Sequence, residues 1–311
     1  LLEVLPSLAL HSNVKGGLIH LGDAQDIVVK YCRLLNSGQN GVIVEGDIEK
    51  CTIYGNLITQ AMSGGVRFVG GNNRDNVIEN NYVHHVGEGI YVRNSAGDVI
   101  RHNLIHDVDS NGFKSLYVER QTVSYNDISR VGLDGTDSDA AGIYTNCTAG
   151  GPDGGYVTID HNRVHDMDWN GYPGYASAAI YLDMDGVYNC TISNNIIYNI
   201  AHKFAVHVRG PNHVIRNNII LEAGDVLQVG VVAFISLANS RHSGMRQRRS
   251  PLAAPASASS RTAASATGVT AATARPEIGQ CGLALAAIVV ALRQEPPRQQ
   301  SEACDESYGE L

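Results

Sequence analysis

Helical periodicity is missing from most of this 311-residue sequence. Between residues 20 and 235 no segment combines a helical apolar pattern with capping residues at both ends. Short stretches there alternate apolar and polar residues instead. The absence excludes folds in which helices connect the strands, and it favours an all-β domain.

Paired cysteines, basic clusters and long apolar runs are missing as well. The six cysteines form no CxxC pair, so no zinc or redox motif is indicated. The net charge is −8 and no basic cluster falls within 20–235, so we expect no nucleic-acid partner. The apolar run 282–292 has 11 residues, too few to span a bilayer. We therefore expect no membrane contact, and we expect a monomer.

An asparagine that recurs two residues before an isoleucine or valine is the dominant positive feature. Cys32, two residues before Leu34, takes the same position one step earlier. The steps between these positions are 24, 25, 22, 23, 36, 33 and 23 residues. A period of this size predicts stacked repeats. The asparagines are Asn56, Asn81, Asn103, Asn126, Asn162, Asn195 and Asn218.

A small residue follows each of these positions from Cys32 to Asn195 and begins an alternating run. The residue after it is always apolar, and the next one is mostly polar or aromatic. That period of two predicts strands with one buried face. The small residues are Gly41, Gly65, Gly89, Gly112, Gly142, Ala179 and Ala205.

These strands predict a parallel β-helix of about eight rungs of roughly 23 residues, covering residues 1–240. Neighbouring rungs should stack about 4.8 Å apart. We expect the asparagines to adopt the left-handed conformation that a tight turn needs. We also expect their amides to hydrogen-bond along the column, as in other asparagine ladders.

The composition changes abruptly after residue 239. Residues 241–311 contain no Asn, Phe or Trp and are rich in Ala, Arg, Ser, Thr and Pro. This low-complexity composition predicts a tail that is disordered or non-native. The chain starts Leu1-Leu2-Glu3 without a methionine or a signal peptide, which predicts a fragment.

Two enlarged repeats indicate where function resides. The distance from asparagine to small residue is usually eight to ten residues, but it is 16 from Asn126 to Gly142 and 17 from Asn162 to Ala179. Both insertions therefore leave the same corner of neighbouring rungs. Loops that share a corner form a wall beside the flat sheet, and loops on a rigid scaffold often carry function.

Acidic, aromatic and basic side chains converge beside that wall. Asp139 lies in the first insertion and Asp183 ends the strand of the next rung. Aromatic rings stack on sugar faces, while carboxyl groups transfer protons at a glycosidic bond. The other candidate substrate-binding residues are Tyr144, Tyr181, His202, His207, Arg209, Lys114 and Trp169.

The sequence resembles right-handed parallel β-helix enzymes of the pectate-lyase-like superfamily. The strings 80–86, 103–108 and 194–199 carry this resemblance. More narrowly, 138–145 followed by 179–183 is similar to β-helix glycoside hydrolases that include α-L-fucosidases and xylanases. The resemblance implies that Asp139 and Asp183 are the catalytic pair. It also implies a secreted or periplasmic location.

Three functions remain open at this point. A glycoside hydrolase would use Asp183 as nucleophile or base and Asp139 as acid, without a cofactor. A polysaccharide lyase or epimerase would hold Ca²⁺ with Asp134, Asp137 and Asp139. Its base would be Lys114, His207 or Arg209. A non-catalytic β-helix would only bind glycans. In each case the partner is a carbohydrate polymer or oligosaccharide.

Limited proteolysis tests the predicted domain boundary. We expect a protease to remove the chain beyond about residue 240, because low-complexity sequence offers no packed core. Mass spectrometry of the surviving fragment gives the cut site. Protection of residues 241–311 would contradict the prediction.

Overall fold

The computed structural model describes residues 2–3, 16–134, 139–168, 177–229, 235–238 and 241–243. These residues form 25 β-strands and one 3₁₀ turn at Gly151–Asp153. No described helix has the length and apolarity needed to cross a bilayer. The predicted tail, 241–311, lies almost entirely outside the described residues, so its character stays a prediction.

Each rung contributes a strand to three faces of a solenoid, and every strand pair is parallel. The first face is a nine-stranded sheet that precedes the asparagine positions. Its strands are Val28–Lys30, Thr52–Tyr54, Val77–Glu79, Val99–Arg101, Thr122–Ser124, Thr158–Asp160, Thr191–Ser193, His213–Arg216 and Ile235–Ala238.

The second and third faces join into one 16-stranded sheet. The second face follows the asparagines, with strands Leu2–Glu3, Arg33–Ser37, Leu104–Val108, Asp127–Val131, Arg163–Asp168 and Arg241–Ser243. The third face follows the small residues, with strands Gly17–Gly22, Asn40–Glu45, Asn73–Arg74, Phe113–Glu119, Ala141–Thr148 and Ala178–Asp183. Four strands run through both faces: Leu57–Val69, Tyr82–Ala96, Ile196–Val208 and Ile219–Val229.

The apolar residues predicted from the repeat stack in columns inside the solenoid. On the second face, Ile58 pairs with Val83 and Val83 with Ile105, and all three are fully buried. On the third face, Val66, Ile90 and Phe113 form the equivalent column. Because one rung cannot bury these side chains alone, the core exists only in the stack. The predicted all-β parallel β-helix of about eight rungs is confirmed.

The predicted asparagine ladder is confirmed and is continuous from Cys32 to Asn218. The Oδ1 of Asn81 accepts both the backbone N–H of Asn56 at 3.0 Å and its side-chain amide at 2.9 Å. The Asn81 amide donates in turn to Ile53 O at 2.8 Å and to Asn103 Oδ1 at 3.0 Å. The same pattern recurs at the later asparagines. Cys32 enters the ladder through its backbone N–H, 2.9 Å from Asn56 Oδ1.

The expectation that the ladder asparagines are left-handed is wrong. The residue immediately before each one is left-handed instead, with φ between 54° and 63°. The left-handed turn and the ladder fall on different residues for a physical reason. The turn residue points its side chain away from the core, whereas the ladder residue must point its amide inward. The left-handed residues are Gly55, Asn80, His102, Tyr125, His161, Asn194 and Asn217.

A second, shorter ladder lies at the turn before the first face, and the sequence analysis missed it. Cys51 donates its N–H to Asn76 Oδ1 at 2.9 Å. Asn76 donates its N–H and its amide to Asp98 Oδ1 at 3.0 and 3.2 Å. Asp98 is 1% exposed. Burial raises the pKa of Asp98 to about 6, and the hydrogen bonds from Asn76 offset only part of that effect.

Asp98→Asn is expected to stabilise the protein at high pH. The folded pKa of about 6 exceeds the unfolded value of about 3.9, so the stability contributed by Asp98 is lost as pH rises through that interval. An asparagine can accept the same bonds without a charge. We expect a gain of about 2 kcal/mol in the free energy of unfolding at pH 8 and about none at pH 4.

Urea unfolding at the two pH values measures this difference. Asp26→Asn serves as the control, because it removes the same charge from an exposed position. An equal effect of Asp98→Asn at both pH values would contradict the assignment.

Candidate active site

The two enlarged corners open onto the third face of neighbouring rungs. One lies between Asp127–Val131 and Ala141–Thr148, the other between Arg163–Asp168 and Ala178–Asp183. The two third-face strands pair directly, with Tyr144 opposite Tyr181. The predicted adjacency of the insertions is therefore confirmed, although residues 135–138 and 169–176 lie outside the described part of the chain.

Asp183 is the centre of a hydrogen-bond network on this face. Its Oδ2 accepts the hydroxyl of Tyr144 at 2.7 Å, and its Oδ1 accepts the hydroxyl of Tyr181 at 2.8 Å. Oδ1 also accepts the backbone N–H of Met184 at 2.7 Å. The side chain of Asp183 is only 6% exposed. Four donors, including Arg209, fix a carboxylate that is an acceptor alone when ionised.

Arg209 links Asp183 to a second carboxylate. Its Nη1 lies 3.2 Å from Asp183 Oδ1, and its Nη2 lies 3.2 Å from Asp185 Oδ1. The backbone of Arg209 is fixed from behind, because its carbonyl accepts the Nε2–H of buried His213 at 2.8 Å. Nδ1 of His213 accepts the N–H of Cys190, which assigns the proton to Nε2.

Tyr144 and Tyr181 were predicted to contact substrate, but they are 4% and 3% exposed. Their rings pack edge to face with centroids 5.3 Å apart. Burial raises the pKa of both phenols far above its usual value, and the negative charge of Asp183 raises it further. Both hydroxyls therefore remain protonated donors. Their position indicates that they orient Asp183.

The charge of Asp139 affects the same pair of tyrosines. Its negative charge also contributes to the raised pKa of Tyr144 and Tyr181. The main chains lie at opposite ends of the paired strands. Asp139 precedes Ala141, whereas Asp183 is opposite Asn146, and five strand residues span about 16 Å. Along the chain direction of the strands, Tyr144 and Tyr181 therefore stand between residue 139 and residue 183.

Of the other predicted substrate-binding residues, two have described contacts with the tyrosine pair. The His207 ring stacks on Tyr181 with centroids 4.4 Å apart. Lys114 Nζ lies 5.4 Å from the Tyr144 ring centroid and 3.6 Å from Glu88 Oε1. Only the backbone of His202 is described, within Ile196–Val208. Trp169 lies outside the described residues.

The Ca²⁺ ligands of the lyase alternative are not assembled in the described residues. No three His, Cys, Asp or Glu side chains there are arranged to hold a metal ion. Asp134 donates its backbone N–H to Asp109 O at 3.3 Å, on the second-face side of the corner. Asp137 lies outside the described residues, so the Ca²⁺ site of this alternative stays a prediction.

Sequence analysis missed Asn146, Met184 and Asp185. Asn146 Nδ2 donates to the Tyr144 hydroxyl at 3.0 Å and so extends the network one residue further. The signal for Asn146 was present, because it stands opposite Asp183 when the repeats are aligned. Met184 contributes a backbone N–H, which no side-chain pattern records.

Comparison with known proteins agrees with this geometry at the level of the fold. A family model described as "Right handed beta helix region" matches residues 45–219, more than half of the chain. This chain belongs to the right-handed β-helix family. No curated protein sequence matches it significantly.

Several solved right-handed β-helix structures are similar. The A-module of mannuronan C-5 epimerase AlgE4 from Azotobacter vinelandii is 15% identical with a TM-score of 0.52, and the match covers 71% of this chain and 63% of that one. Alginate lyase from Paenibacillus sp. str. FPU-7 is 13% identical with a TM-score of 0.43, over 68% and 95%. DFA-IIIase from Arthrobacter chlorophenolicus A6 is 13% identical with a TM-score of 0.49, over 64% and 53%. The epimerase module, with a TM-score above 0.5, shares the fold of this chain, and an identity of 15% leaves the reaction open.

Proposed function

We propose that this right-handed β-helix hydrolyses glycosidic bonds in a groove along its third face. The observation that carries the proposal is the Asp183 carboxylate, which four donors orient on this face, with Asp139 standing before the strand that carries Tyr144. Glycoside hydrolysis needs two such groups, one to protonate the leaving oxygen and one to act as base or nucleophile. No metal or cofactor takes part in that chemistry.

Asp183 is assigned the role of base or nucleophile. Hydrogen bonds from Tyr144, Tyr181 and Arg209 orient its carboxylate. Of these three bonds, the one from Tyr144 goes to Oδ2 and the other two go to Oδ1. The second lone pair of Oδ2 is then the atom's remaining acceptor site, which suits a water or an anomeric carbon.

Asp139 is assigned the role of acid. It precedes the strand that carries Tyr144 and is partly exposed, beside the corner at which the first insertion leaves the rung. An acid must reach the leaving oxygen from outside the sheet, and this position permits that approach. Arg209, with 36% of its side chain exposed, would bind substrate hydroxyl or carboxylate groups. His207 is buried and stacks on Tyr181, so it would reach only a substrate group that enters beside that ring.

A lyase or epimerase is the second candidate. The observation that favours it is the presence of Lys114, His207 and Arg209 on the face that carries Asp183. Such a reaction yields an unsaturated sugar or an epimer rather than a new reducing end. A non-catalytic glycan-binding β-helix would yield neither product.

Asp183→Asn tests the assignment. With a panel of polysaccharides, we expect the wild-type chain to release reducing ends without ultraviolet absorbance from an unsaturated product. The variant should lose at least about a thousandfold in kcat, because the base or nucleophile is removed. Asp139→Asn should lose activity on polysaccharide but retain it on aryl glycosides, whose leaving groups need no acid.

Asp185→Asn is the matched control, because Asp185 binds the same Arg209 but its side chain is 60% exposed. We expect its kcat to stay within a few-fold of wild type. Tyr144→Phe and Tyr181→Phe should lower kcat with little change in KM, as expected for groups that orient Asp183. Full activity of Asp183→Asn, or an unsaturated product, would contradict the hydrolase assignment.

A further inference from the structure

His213 belongs to the column of residues that contains the shorter ladder, at the turn before the first face. Each member of this column stands two residues before a buried apolar residue of that face. In this column Asn76 and Asp98 each use one side-chain oxygen to accept a backbone N–H from the preceding rung. Nδ1 of His213 accepts the N–H of Cys190 in the same way, at 3.2 Å. The members are Cys51, Asn76, Asp98, Gln121, Val157, Cys190 and His213.

The other ring nitrogen of His213 reaches out of the column towards the candidate site. Nε2 donates to the carbonyl oxygen of Arg209 at 2.8 Å, and the side chain is buried. Burial lowers the pKa of His213 below its usual value, so the ring is neutral at neutral pH. A neutral imidazole carries one acceptor and one donor on separate atoms. This side chain therefore joins the ladder to a residue that contacts Asp183.

The turn that begins at Arg209 packs against the loop that follows Asp183. The N–H of Arg209 donates to Leu182 O at 2.8 Å. Gly210 has a φ of 80°, and a Cβ added there would lie only 2.1 Å from Val187 O. The two backbones are thus in direct contact. Any shift of this turn would move the Arg209 guanidinium relative to Asp183.

The Arg209 side chain needs a fixed backbone in order to stay in place. Its Nη1 and Nη2 each lie 3.2 Å from a carboxylate oxygen, of Asp183 and Asp185 respectively. The arginine side chain is partly exposed, and that of Asp185 is mostly exposed. Ion pairs that water can reach contribute little by themselves, because holding two flexible side chains together costs entropy. The main-chain contacts of Arg209 therefore decide where its guanidinium lies.

We propose that His213 is a positioning residue of the candidate active site, which fixes the main chain of Arg209 so that Arg209 orients Asp183. The two ring nitrogens have separate tasks: Nδ1 holds the rung in the ladder, and Nε2 holds the site. The effect on catalysis rests on the proposed function, whereas the effect on Arg209 does not.

His213→Asn and His213→Gln separate the two tasks. Asparagine keeps an acceptor near the place of Nδ1, but its side chain is too short to reach Arg209 O. Glutamine can bring an amide N–H near the place of Nε2, but it leaves no acceptor at the place of Nδ1. A purely structural role predicts that glutamine is the more harmful replacement. A positioning role predicts that asparagine harms the site more.

Nitrogen-15 NMR of the full chain follows the Arg209 guanidinium, whose signals are assigned by their loss in Arg209→Lys. We expect its N–H hydrogens to exchange with water about tenfold faster in His213→Asn, and within about threefold of wild type in His213→Gln. Urea unfolding should give the reverse order, with the lower midpoint for His213→Gln. Asn76→Ala is the control, because it interrupts the same column in a distant rung and should leave the Arg209 signals unchanged.

The wild-type protein gives a test that needs no variant. The nitrogen signals of His213 at pH 7 should show a proton on Nε2 and none on Nδ1. A proton on Nδ1 would overturn the inference, because Nε2 could not then donate to Arg209.

Kinetics and NMR together separate this inference from the proposed function. On a polysaccharide that the wild type hydrolyses, we expect kcat to fall about tenfold in His213→Asn and to be largely restored in His213→Gln. Unchanged Arg209 exchange in His213→Asn, or faster exchange without a loss of kcat, would overturn the inference and leave the glycosidase proposal standing. Faster exchange in His213→Asn, in a protein whose wild type releases no reducing ends, would support the inference and contradict the hydrolase.

Discussion

The hydrogen bonds of one buried amide column fix the position of every rung relative to the next. In this column the Oδ1 of Asn162 accepts the backbone N–H and the side-chain amide of Asn126, each at 3.0 Å. The Asn162 amide then donates to Val123 O and to Asn195 Oδ1. A slip of one residue would leave all these buried groups without partners, which costs far more than one hydrogen bond contributes. The ladder therefore enforces register, which backbone pairing alone specifies weakly.

The candidate active site depends on this register. Asn126, Asn162 and Asn195 belong to the rungs that carry Asp139, Asp183 and Arg209 in turn. Asp183 accepts three side-chain hydrogen bonds from residues on these rungs, with lengths of 2.7 to 3.2 Å. The donors are Tyr144, Tyr181 and Arg209. A shift of one strand residue would turn each side chain to the opposite face. Loops can vary in length at the corner because the ladder, and not the loop, sets the geometry of the face.

Much of the scaffold could be predicted from the sequence, for a physical reason. The amide column and the small residue recur at nearly constant spacing, so Asn81, Gly89 and their equivalents mark the second and third faces directly. The strands of the first face were harder to predict from the sequence. Ile78 and Ile100 lie in strands of only three residues, which are too short to show an alternating pattern. The left-handed turn was assigned to Asn81 and not to Asn80, since both are asparagines and only the amide contacts distinguish them.

For the candidate site, the sequence could predict which residues share a face, and their roles stay predictions. Asp139, Asp183, Tyr144 and Tyr181 were selected because the repeats align them, and alignment reports which residues share a face. It does not report which atoms meet. Whether Tyr144 offers its ring to a sugar or its hydroxyl to Asp183 depends on side-chain burial, which the rungs on either side determine. The sequence predicted contact between the tyrosines and substrate, which stays a prediction, and the structure adds that both hydroxyls donate to Asp183.

Chemical unfolding of Asn162→Ala tests most directly whether the amide ladder holds the rungs in register. The variant leaves the backbone N–H of Asn126 and one of its two amide hydrogens without an acceptor in the core, while the other amide hydrogen keeps Ile100 O. We predict a decrease of roughly 3 kcal/mol or more in the free energy of unfolding, relative to Asn72→Ala, which removes an exposed asparagine. A decrease within about 0.5 kcal/mol of that control would contradict the account.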